Sequence, residues 1–253
     1  MRITVIGGTG LIGARLSRAL RETGHEVVAA SRATGVNSFT GEGLEEALDG
    51  ADVVVDVSNS SYTDEAAAQE FFSTSTMNLL SYGQAAGVGH HVALSVVGTD
   101  RLARAEGGYF VAKAQQEQLI TASGRPYSLV HATQFFEFLR NITDHAMREG
   151  AAHVADVLVQ PMAADDVARV VAEIAVGTPR FGMVEFGGPE VFSLKEIAAL
   201  DLRARQDERE VVADPLGTYF GARLSARDLL PEATATIAPT RYHDWRVQSA
   251  PAV

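Results

Sequence analysis

Short apolar runs alternate with segments of helical periodicity along the first half of the chain. The apolar runs predict strands over residues 3–6, 27–30, 52–57, 91–95 and 127–131. The segments between them predict helices over residues 11–21, 43–48, 63–86 and 108–123. The run Val53-Val54-Val55 is apolar at every position, which is typical of a strand buried on both faces. Strands that alternate with helices in this way predict an α/β fold with a doubly wound parallel sheet.

The pattern is less regular beyond residue 132. It predicts helices over 134–149, 164–176 and 193–200, and strands over 154–160 and 184–186. Asp165 and Asp166 would lie in the first turn of the second of these helices, where carboxylates interact favourably with the helix dipole. Ser193, followed three residues later by Glu196, predicts a capping box at the start of the third helix. We expect one domain over residues 1–253, in which the part from about residue 150 onward forms a small α+β region beside the carboxyl edge of the sheet.

Composition and charge exclude several classes of function. The chain has 253 residues, of which 46% are hydrophobic, and this is enough for a well-buried core. Its formal net charge of -11 disfavours binding to nucleic acid, because an acidic surface repels phosphate backbones. The absence of cysteine excludes disulfides, thiolate metal sites and cysteine nucleophiles. No metal site is expected either, since these histidines lack metal-ligand spacing with carboxylate support: His90, His91, His145 and His153.

The chain carries no segment that predicts a membrane or export signal. No apolar run approaches the roughly 18 residues that a membrane-spanning helix needs. The run over 3–6 does not continue as a signal peptide would, because it breaks at Gly7-Gly8 and is followed by Arg15 and Arg18. We therefore expect a cytoplasmic protein without membrane contact, present as a monomer or a homodimer.

Three glycines follow the first predicted strand and lead into the first predicted helix. Gly7 would permit a tight turn, Gly10 would let the backbone approach a pyrophosphate, and Gly13 would let the helix pack closely on the sheet. The first turn of the helix would offer free N–H groups and positive potential to the phosphates. A purely structural turn is the alternative, but the strand-turn-helix context that the motif requires is present. The predicted dinucleotide contacts here come from Gly7, Thr9, Gly10, Leu11 and Ile12.

Ser31 and Arg32 follow the second predicted strand, about 20 residues after the glycines. NAD-binding proteins commonly carry Asp or Glu at this place to receive the ribose hydroxyls. Arg32 instead offers a guanidinium fork to a 2′-phosphate, and Ser31 offers a hydroxyl donor. These two residues predict a preference for NADP(H), with NAD(H) as the second cofactor. An ordinary surface arginine is the alternative interpretation.

Several stretches, taken in order, resemble the short-chain dehydrogenase/reductase superfamily, and specifically its atypical, NmrA-like, NAD(P)-binding branch. The stretches are residues 7–13, 50–57, 78–80, 86–88, 94–98, 109–113 and 131–136, followed more weakly by 160–161, 165–168 and 187–190. The resemblance implies a Rossmann-like sheet with a small C-terminal region that covers the substrate. One departure is that the acidic residue that often meets adenine is missing and the loop over 33–44 is short. The adenine pocket is therefore left open.

The resemblance also implies which loops line the cofactor cleft, since they leave the carboxyl ends of parallel strands. It implies contacts from Val57, Ser58, Asn59, Ser95, Val96, Lys113, His131, Ala132 and Thr133. Of these contacts, the residues at 131–133 would lie near the nicotinamide.

The same resemblance implies a catalytic set of Tyr109, Lys113 and Ser95. Tyr109 and Lys113 are four residues apart, so they share one face of a helix. In the superfamily's reductases such a tyrosine protonates the nascent alkoxide, the lysine lowers the pKa of the tyrosine and holds the ribose, and the serine polarises the carbonyl. The alternative is a chance match, because NmrA-like proteins frequently lack a working tyrosine and retain the lysine alone as a cofactor ligand or base.

An apolar substrate site is predicted above the nicotinamide, walled by Tyr62, Phe135, Phe136 and Phe138. Core packing of at least one of these phenylalanines is the alternative. The sequence thus predicts an NADP(H)-dependent oxidoreductase that reduces a carbonyl, quinone or enone of a small apolar molecule. Two alternatives stay open: a non-catalytic NADP(H)-binding regulator or redox sensor, and an isomerase or cyclase on the same fold.

Overall fold

The computed structural model describes residues 1–62, 64–103 and 108–249. Its strands are β1 (Arg2–Ile6), β2 (Glu26–Ala30), β3 (Val53–Asp56), β4 (His90–Val96), β5 (Tyr127–Ala132), β6 (Met147–Arg148), β7 (Ala151–Ala155), β8 (Leu158–Val159), β9 (Met183–Gly187), β10 (Phe192–Ser193), β11 (Glu210–Asp214), β12 (Thr218–Tyr219), β13 (Ala222–Arg223) and β14 (Thr236–Ile237). Its helices are α1 (Leu11–Glu22), α2 (Leu44–Leu48), α3 (Glu65–Ala85), α4 (Thr99–Ala103), α5 (Tyr109–Ala122), α6 (Leu139–His145), α7 (Ala164–Val176), α8 (Leu194–Ala204) and α9 (Tyr242–Ser249).

Within the described residues, seven strands form the central sheet in the order β14-β9-β5-β4-β3-β1-β2, and every neighbouring pair is parallel. The predicted α/β fold with a Rossmann-like, doubly wound parallel sheet is confirmed. After β2 the chain returns to the other side of β1 to form β3. This reversal opens a crevice at the carboxyl ends of β1 and β3, where open α/β sheets bind ligands.

The strands of this sheet are covered by helices on both faces. Val53 and Val55 pack in one core with α1 and α7, whereas Val54 packs in another with α2 and α3. Successive side chains of a strand point to opposite faces, so an entirely apolar strand needs cover on both. The apolar run in β3 therefore has the burial that its sequence predicts.

The chain after residue 150 contributes to two regions. Helix α7 covers the sheet, and β9 and β14 extend the sheet beyond β5. Other elements, among them α6, α8, β7 and β11, enclose a second apolar core that also takes in Leu102 and Phe110. Because both of these residues follow β4, this core lies at the carboxyl edge of the sheet. The assignment of residues 1–253 to one domain stays a prediction.

The single helix predicted over 134–149 is wrong. Phe135 forms a β-bridge with Met162, so the helical segment begins only at a 3₁₀ turn over Phe136–Phe138 and continues as α6. Glu149 and Gly150 then adopt left-handed φ values of 50° and 87°, which turn the chain from β6 into β7. The strand predicted over 154–160 is likewise divided between β7 and β8.

Other helix boundaries agree closely with the sequence pattern. Helix α7 covers the predicted range and carries Asp165 and Asp166 in its first turn. Ser193 caps α8, since its Oγ accepts a hydrogen bond from the Glu196 N–H at 3.1 Å. Thr63, the predicted first residue of the helix over 63–86, lies outside the described residues. Of the helices that the structure describes, none combines the length and the apolar content needed to cross a membrane.

Candidate cofactor and substrate cleft

A cleft of about 1160 Å³ runs along the carboxyl ends of the strands from β1 to β5. Most residues that the sequence singles out line it: Gly7, Thr9, Gly10, Leu11, Ile12, Ser31, Arg32, Val57, Ser58, Asn59, Tyr62, Ser95, Val96, Tyr109, Lys113, Ala132, Thr133, Phe135 and Phe138. The structure thus brings together residues from five strand ends. Two of the sequence-derived candidates, His131 and Phe136, lie elsewhere.

The glycine turn at one end of the cleft is packed too closely for side chains. Gly7 has a φ of +78°, and a Cβ there would lie 2.9 Å from the backbone of Ser58. A Cβ on Gly13 would lie 2.1 Å from the carbonyl oxygen of Gly7. These positions hold the start of α1 directly against the turn and the loop after β3.

The first turn of α1 faces this end of the cleft with its backbone N–H groups. Gly10 is the N-cap residue, and in the described part of the chain no side chain caps the helix. The first N–H groups of a helix have no partner inside the helix, so they are available to an anion. This arrangement suits a phosphate or pyrophosphate.

Ser31 and Arg32 lie beside the turn, where β2 ends. Arg32 is exposed and lines the cleft, and no carboxylate pairs with it among the residues that the structure describes. The Ser31 Oγ is buried and has no hydrogen-bond partner in the same part of the chain. The Arg32 guanidinium is therefore free to bind a ligand, while the Ser31 Oγ is enclosed by the capping-box turn over Arg32–Thr34.

The loop after Arg32, where the sequence left the adenine pocket open, supplies an aromatic surface to the cleft. Phe39 stacks on Phe71 of α3 with ring centroids 6.3 Å apart and an interplanar angle of 12°. Asn78 holds the loop in place, since its amide donates to the carbonyl oxygens of Ser38 at 2.9 Å and Phe39 at 3.0 Å. The signal for this surface in the sequence was Asn78, which belongs to a resembling stretch but had no assigned role.

Gln134, at the other end of the cleft, is a further residue that sequence reasoning missed. Its side chain is buried and lines the cleft, and neither its amide nitrogen nor its amide oxygen has a partner among the described residues. Buried polar groups are normally hydrogen-bonded, so an unpartnered amide beside a cleft indicates a place for a polar ligand group. Ser31 and Gln134 thus mark the two ends of a site that fits a long, polar cofactor.

Lys113 lies between these ends and is 2% exposed. Its Nζ donates to the carbonyl oxygen of Leu94 at 2.8 Å and to the Oε1 of Gln116, and it lies 4.6 Å from the centre of the Phe72 ring. Burial lowers the pKa of Lys113 to about 8, although the carboxylates of Asp56 and Glu117 act in the opposite direction. An amine with such a pKa exchanges a proton readily near neutral pH.

Tyr109 lies one helical turn before Lys113, and its hydroxyl donates to the Oδ1 of Asn59 at 2.8 Å. Burial raises the pKa of Tyr109 well above its usual range, with further contributions from Tyr62, Tyr219 and Asp56. This direction is opposite to the one that the resemblance implies, because burial outweighs any effect of the lysine. The phenol is therefore a weak acid in this structure.

Ser95 lies inside β4 and not after it, and its Oγ donates to the Oε1 of Glu117. The same carboxylate oxygen lies 3.0 Å from the Nε2 of His131. The His131 side chain is 1% exposed and is directed toward α5, so it does not line the cleft. The expectation that His131 contacts the cofactor is thereby corrected, and its neighbours Ala132 and Thr133 are the β5 residues at the cleft.

Aromatic rings wall the cleft beyond Lys113. Tyr62 packs on Tyr109, Phe138 and Phe220 with centroid separations of 4.9, 4.8 and 5.2 Å. Tyr219 and Phe220, from the irregular C-terminal part of the chain, complete the wall. Because the sequence pattern there predicted no element, neither ring could be assigned in advance.

Phe136 is not part of this wall. Its ring is 1% exposed and packs against Tyr242 and Trp245 of α9, with centroids 5.4 and 5.3 Å away. The substrate assignment of Phe136 is therefore wrong. Phe135 and Phe138 do line the cleft. The alternative interpretation, in which at least one of the three phenylalanines packs in the core, therefore applies to Phe136.

Three solved structures with a similar fold were determined with NAD bound. MoeE5 in complex with UDP-glucose and NAD is 17% identical with a TM-score of 0.74, covering 98% of this chain and 96% of that chain. The UDP-glucose 4-epimerase of Thermus thermophilus in complex with NAD is 17% identical with a TM-score of 0.67, covering 91% and 92%. DesIV, a dTDP-glucose 4,6-dehydratase of Streptomyces venezuelae, with NAD and TYD bound, is 18% identical with a TM-score of 0.68, covering 96% and 94%. At such identities these matches show the fold alone.

The family of this chain follows from a match of its sequence to a family model. No curated protein sequence gives a significant match. The model described as the NAD dependent epimerase/dehydratase family matches residues 3–134, which hold the glycine turn, Arg32, Lys113 and β1 to β5. The predicted membership of the short-chain dehydrogenase/reductase superfamily is confirmed, whereas the NmrA-like branch stays a prediction. The chain belongs to the NAD dependent epimerase/dehydratase family.

Proposed function

We propose that the protein is an NADP(H)-dependent oxidoreductase that reduces a carbonyl, quinone or enone group on a small apolar molecule. The observation that carries this proposal is the position of Lys113, between a glycine turn suited to phosphates and an aromatic wall. One continuous cleft thus offers an anion-binding end, a proton-exchanging amine and an apolar end.

The cofactor preference rests on the residues at the end of β2. An exposed guanidinium without an ion-pair partner among the described residues, beside a buried serine hydroxyl without a hydrogen-bond partner there, suits the 2′-phosphate of NADP(H). NAD(H) is the second cofactor, since an unpaired arginine does not prevent its binding. Backbone amides of the first turn of α1 would hold the pyrophosphate of either cofactor.

The substrate class rests on the charges in the cleft. Among the described residues that line it, the charged side chains are Arg32, Glu70 and Lys113. A nucleotide sugar, as bound by MoeE5, carries a diphosphate that is commonly neutralised by basic side chains. In the described part of the chain the aromatic end offers no arginine for that purpose, so it favours a small apolar molecule.

The bound dinucleotide would supply the hydride, and we assign the accompanying proton to Lys113. Lys113 lines the cleft, and its pKa of about 8 keeps it protonated but acidic enough to give up a proton near neutral pH. Tyr109, whose hydroxyl is bound to Asn59, would shape the apolar wall. Ser95 would orient Glu117 behind the lysine.

An assay with NADPH and a panel of acceptors tests the proposal. The panel contains a naphthoquinone, an aromatic enone, an aromatic aldehyde and a nucleotide-linked 4-keto sugar, and the loss of reduced-nicotinamide absorbance is followed. We expect turnover with the apolar acceptors and none with the nucleotide-linked keto sugar. Lys113→Met should lower kcat by about a hundredfold or more, because general acid catalysis typically contributes at least that factor.

Two variants serve as comparisons in this assay. Lys195→Met removes the exposed lysine of α8 and should leave turnover unchanged. Tyr109→Phe should retain more than about a tenth of the wild-type kcat, since a phenol with a raised pKa contributes little as an acid. Full activity of Lys113→Met, or reduction of none of the apolar acceptors, would contradict the proposal.

A non-catalytic NADP(H)-binding regulator is a second candidate, favoured by the state of Tyr109. The phenol is buried, bound to Asn59 and has a raised pKa, so the usual proton donor of the superfamily is not available. Titration calorimetry distinguishes the two functions. Tight NADPH binding without turnover of any acceptor would favour the regulator.

A further inference from the structure

A continuous chain of buried polar side chains connects Lys113 to β3. The Nζ of Lys113 donates to the Oε1 of Gln116, and the Nε2 of Gln116 donates to the Oδ2 of Asp56 at 2.9 Å. Gln116 and Asp56 are each 1% exposed, so neither group exchanges its partner for water. Asp56 is the last residue of β3, and the other residues of this strand are all valine.

The direction of the Gln116 amide follows from its two partners. An ionised carboxylate only accepts hydrogen bonds, so the amide nitrogen must face Asp56. An ammonium only donates hydrogen bonds, so the amide oxygen must face Lys113. The glutamine would lose its preferred orientation if either charge were removed.

Asp56 also holds the loop that borders the cofactor end of the cleft. Its Oδ1 accepts hydrogen bonds from the N–H of Ser58 at 2.9 Å and from the Oγ of Ser58 at 2.6 Å. Ser58 in turn packs against Gly7, where no Cβ would fit. One carboxylate thus connects the loop at the glycine turn with the amine in the cleft.

We propose that Asp56 and Gln116 are positioning residues for Lys113: Asp56 fixes the Gln116 amide, and the amide fixes the ammonium group at the cleft. This inference rests on the proposed function in taking Lys113 as the group that serves the reaction. Two buried charges bridged by an amide are a weak source of stability, because desolvation offsets much of their attraction. An apolar side chain would have served the packing of β3, as it does at the preceding positions.

Several groups surround the lysine and contribute to its charge state. Asp56 on β3 and Glu117 on α5 favour the ammonium form. His91 on β4 is near Asp56, and Tyr109 on α5 is near both Asp56 and the cleft. The groups from α3 and β4 that touch the Nζ, the Phe72 ring and the Leu94 carbonyl, do not titrate. Of these groups, Asp56 is the carboxylate that both attracts the ammonium and orients its amide partner.

The lysine content of the chain allows a direct test, because it contains two lysines, Lys113 and Lys195. In protein labelled with ¹³C at the lysine ε-carbon, NMR would follow the titration of each amine separately. The wild-type midpoint of Lys113 is expected at about 8. Asp56→Asn and Gln116→Met should each lower it, the first by about one pH unit or more, because an opposite charge nearby shifts a pKa by that amount.

Two controls accompany the titration. The midpoint of Lys195, exposed on α8, should stay the same in every variant. Gln115→Met removes an exposed amide one residue away on α5 and should leave Lys113 unchanged. If Asp56→Asn does not fold, Gln116→Met decides the question. A Lys113 midpoint equal to that of the Gln115→Met control in the folded variants would overturn the inference.

The pH profile of turnover separates this inference from the proposed function. The limb of kcat/KM that belongs to Lys113 should move in Gln116→Met in the same direction as the NMR midpoint. Turnover with an unmoved limb would overturn the positioning role and leave the proposed function standing. A shifted NMR midpoint without turnover of any acceptor would overturn the proposed function and leave the effect of Gln116 on Lys113 standing.

Discussion

Arg32 carries the cofactor preference at the level of a single side chain. Its guanidinium is exposed at the end of β2, borders the cleft and has no ion-pair partner among the described residues. Arg32→Ala should weaken NADPH binding by about tenfold or more, since a hydrogen bond to a charged group contributes about 1.5–3 kcal/mol. The affinity for NADH should change by less than about twofold, because NADH lacks the 2′-phosphate.

Titration calorimetry with both cofactors checks this prediction. Arg227→Ala is a suitable comparison, because Arg227 is also exposed but does not line the cleft. It should leave both affinities unchanged. Equal losses for NADPH and NADH in Arg32→Ala would assign the arginine to a part that the two cofactors share.

The sequence identified site residues best where their position follows from a strand end. Arg32, Ser58 and Thr133 each follow a strand of the parallel sheet, and the carboxyl ends of parallel strands meet at one edge, so all three line the cleft. The orientation of a side chain within a strand or turn is harder to predict. His131 turns toward Glu117 and Phe136 toward α9 because tertiary contacts, which the local pattern does not contain, decide the direction.

Gly13 determines how closely the whole of helix α1 approaches the sheet. A Cβ there would lie 2.1 Å from the Gly7 carbonyl oxygen, so the helix would have to move away from the turn. Gly13→Ala should lower the free energy of unfolding by about 1–3 kcal/mol, as forced overpacking typically does. Both NADPH and NADH should then bind more weakly, because the first-turn N–H groups move with the helix.

Gly83 in α3 offers a matched helical control for this substitution. A Cβ there would lie 3.7 Å from Val88, which is an ordinary contact, and alanine is the better helix former. Gly83→Ala should raise the free energy of unfolding by up to about 1 kcal/mol. Chemical denaturation would measure the free energy of unfolding of both variants. A Gly13→Ala variant as stable as wild type would show that Gly13 is not needed for the close packing of α1 on the turn.

Elements with a strong periodic pattern were predictable, and those that depend on distant partners were not. Helix α7 matches its predicted range because its apolar face and its acidic first turn both lie in the local sequence. The segment over 134–149 was predicted as one helix, but a bridge to Met162 and the turn at Glu149 divide it. Strands β11 and β14 consist of five residues or fewer and pair with partners far away in the chain, so no local signal reveals them.

We expect the response of the whole molecule to acid to depend on a histidine in the centre of the sheet. His91 lies on β4 between β3 and β5 and is buried. Burial lowers its pKa to about 4, an effect that His90 reinforces and the carboxylate of Asp56 opposes. The unfolded chain takes up this proton near pH 6.5, the ordinary value for histidine, whereas the folded chain resists protonation down to about pH 4.

It follows that the stability of the fold should decrease as the pH falls from about 6.5 to about 4, because in this window the unfolded chain binds more protons. The separation of the two pKa values corresponds to a loss of about 3 kcal/mol from His91. Urea denaturation at several pH values would measure it. His91→Gln should flatten the dependence in this window, whereas His243→Gln, at an exposed position on α9, should preserve the wild-type slope. A His91→Gln variant with the same slope as wild type would assign the acid sensitivity to other groups, of which His90, whose pKa is also lowered by burial, is the nearest.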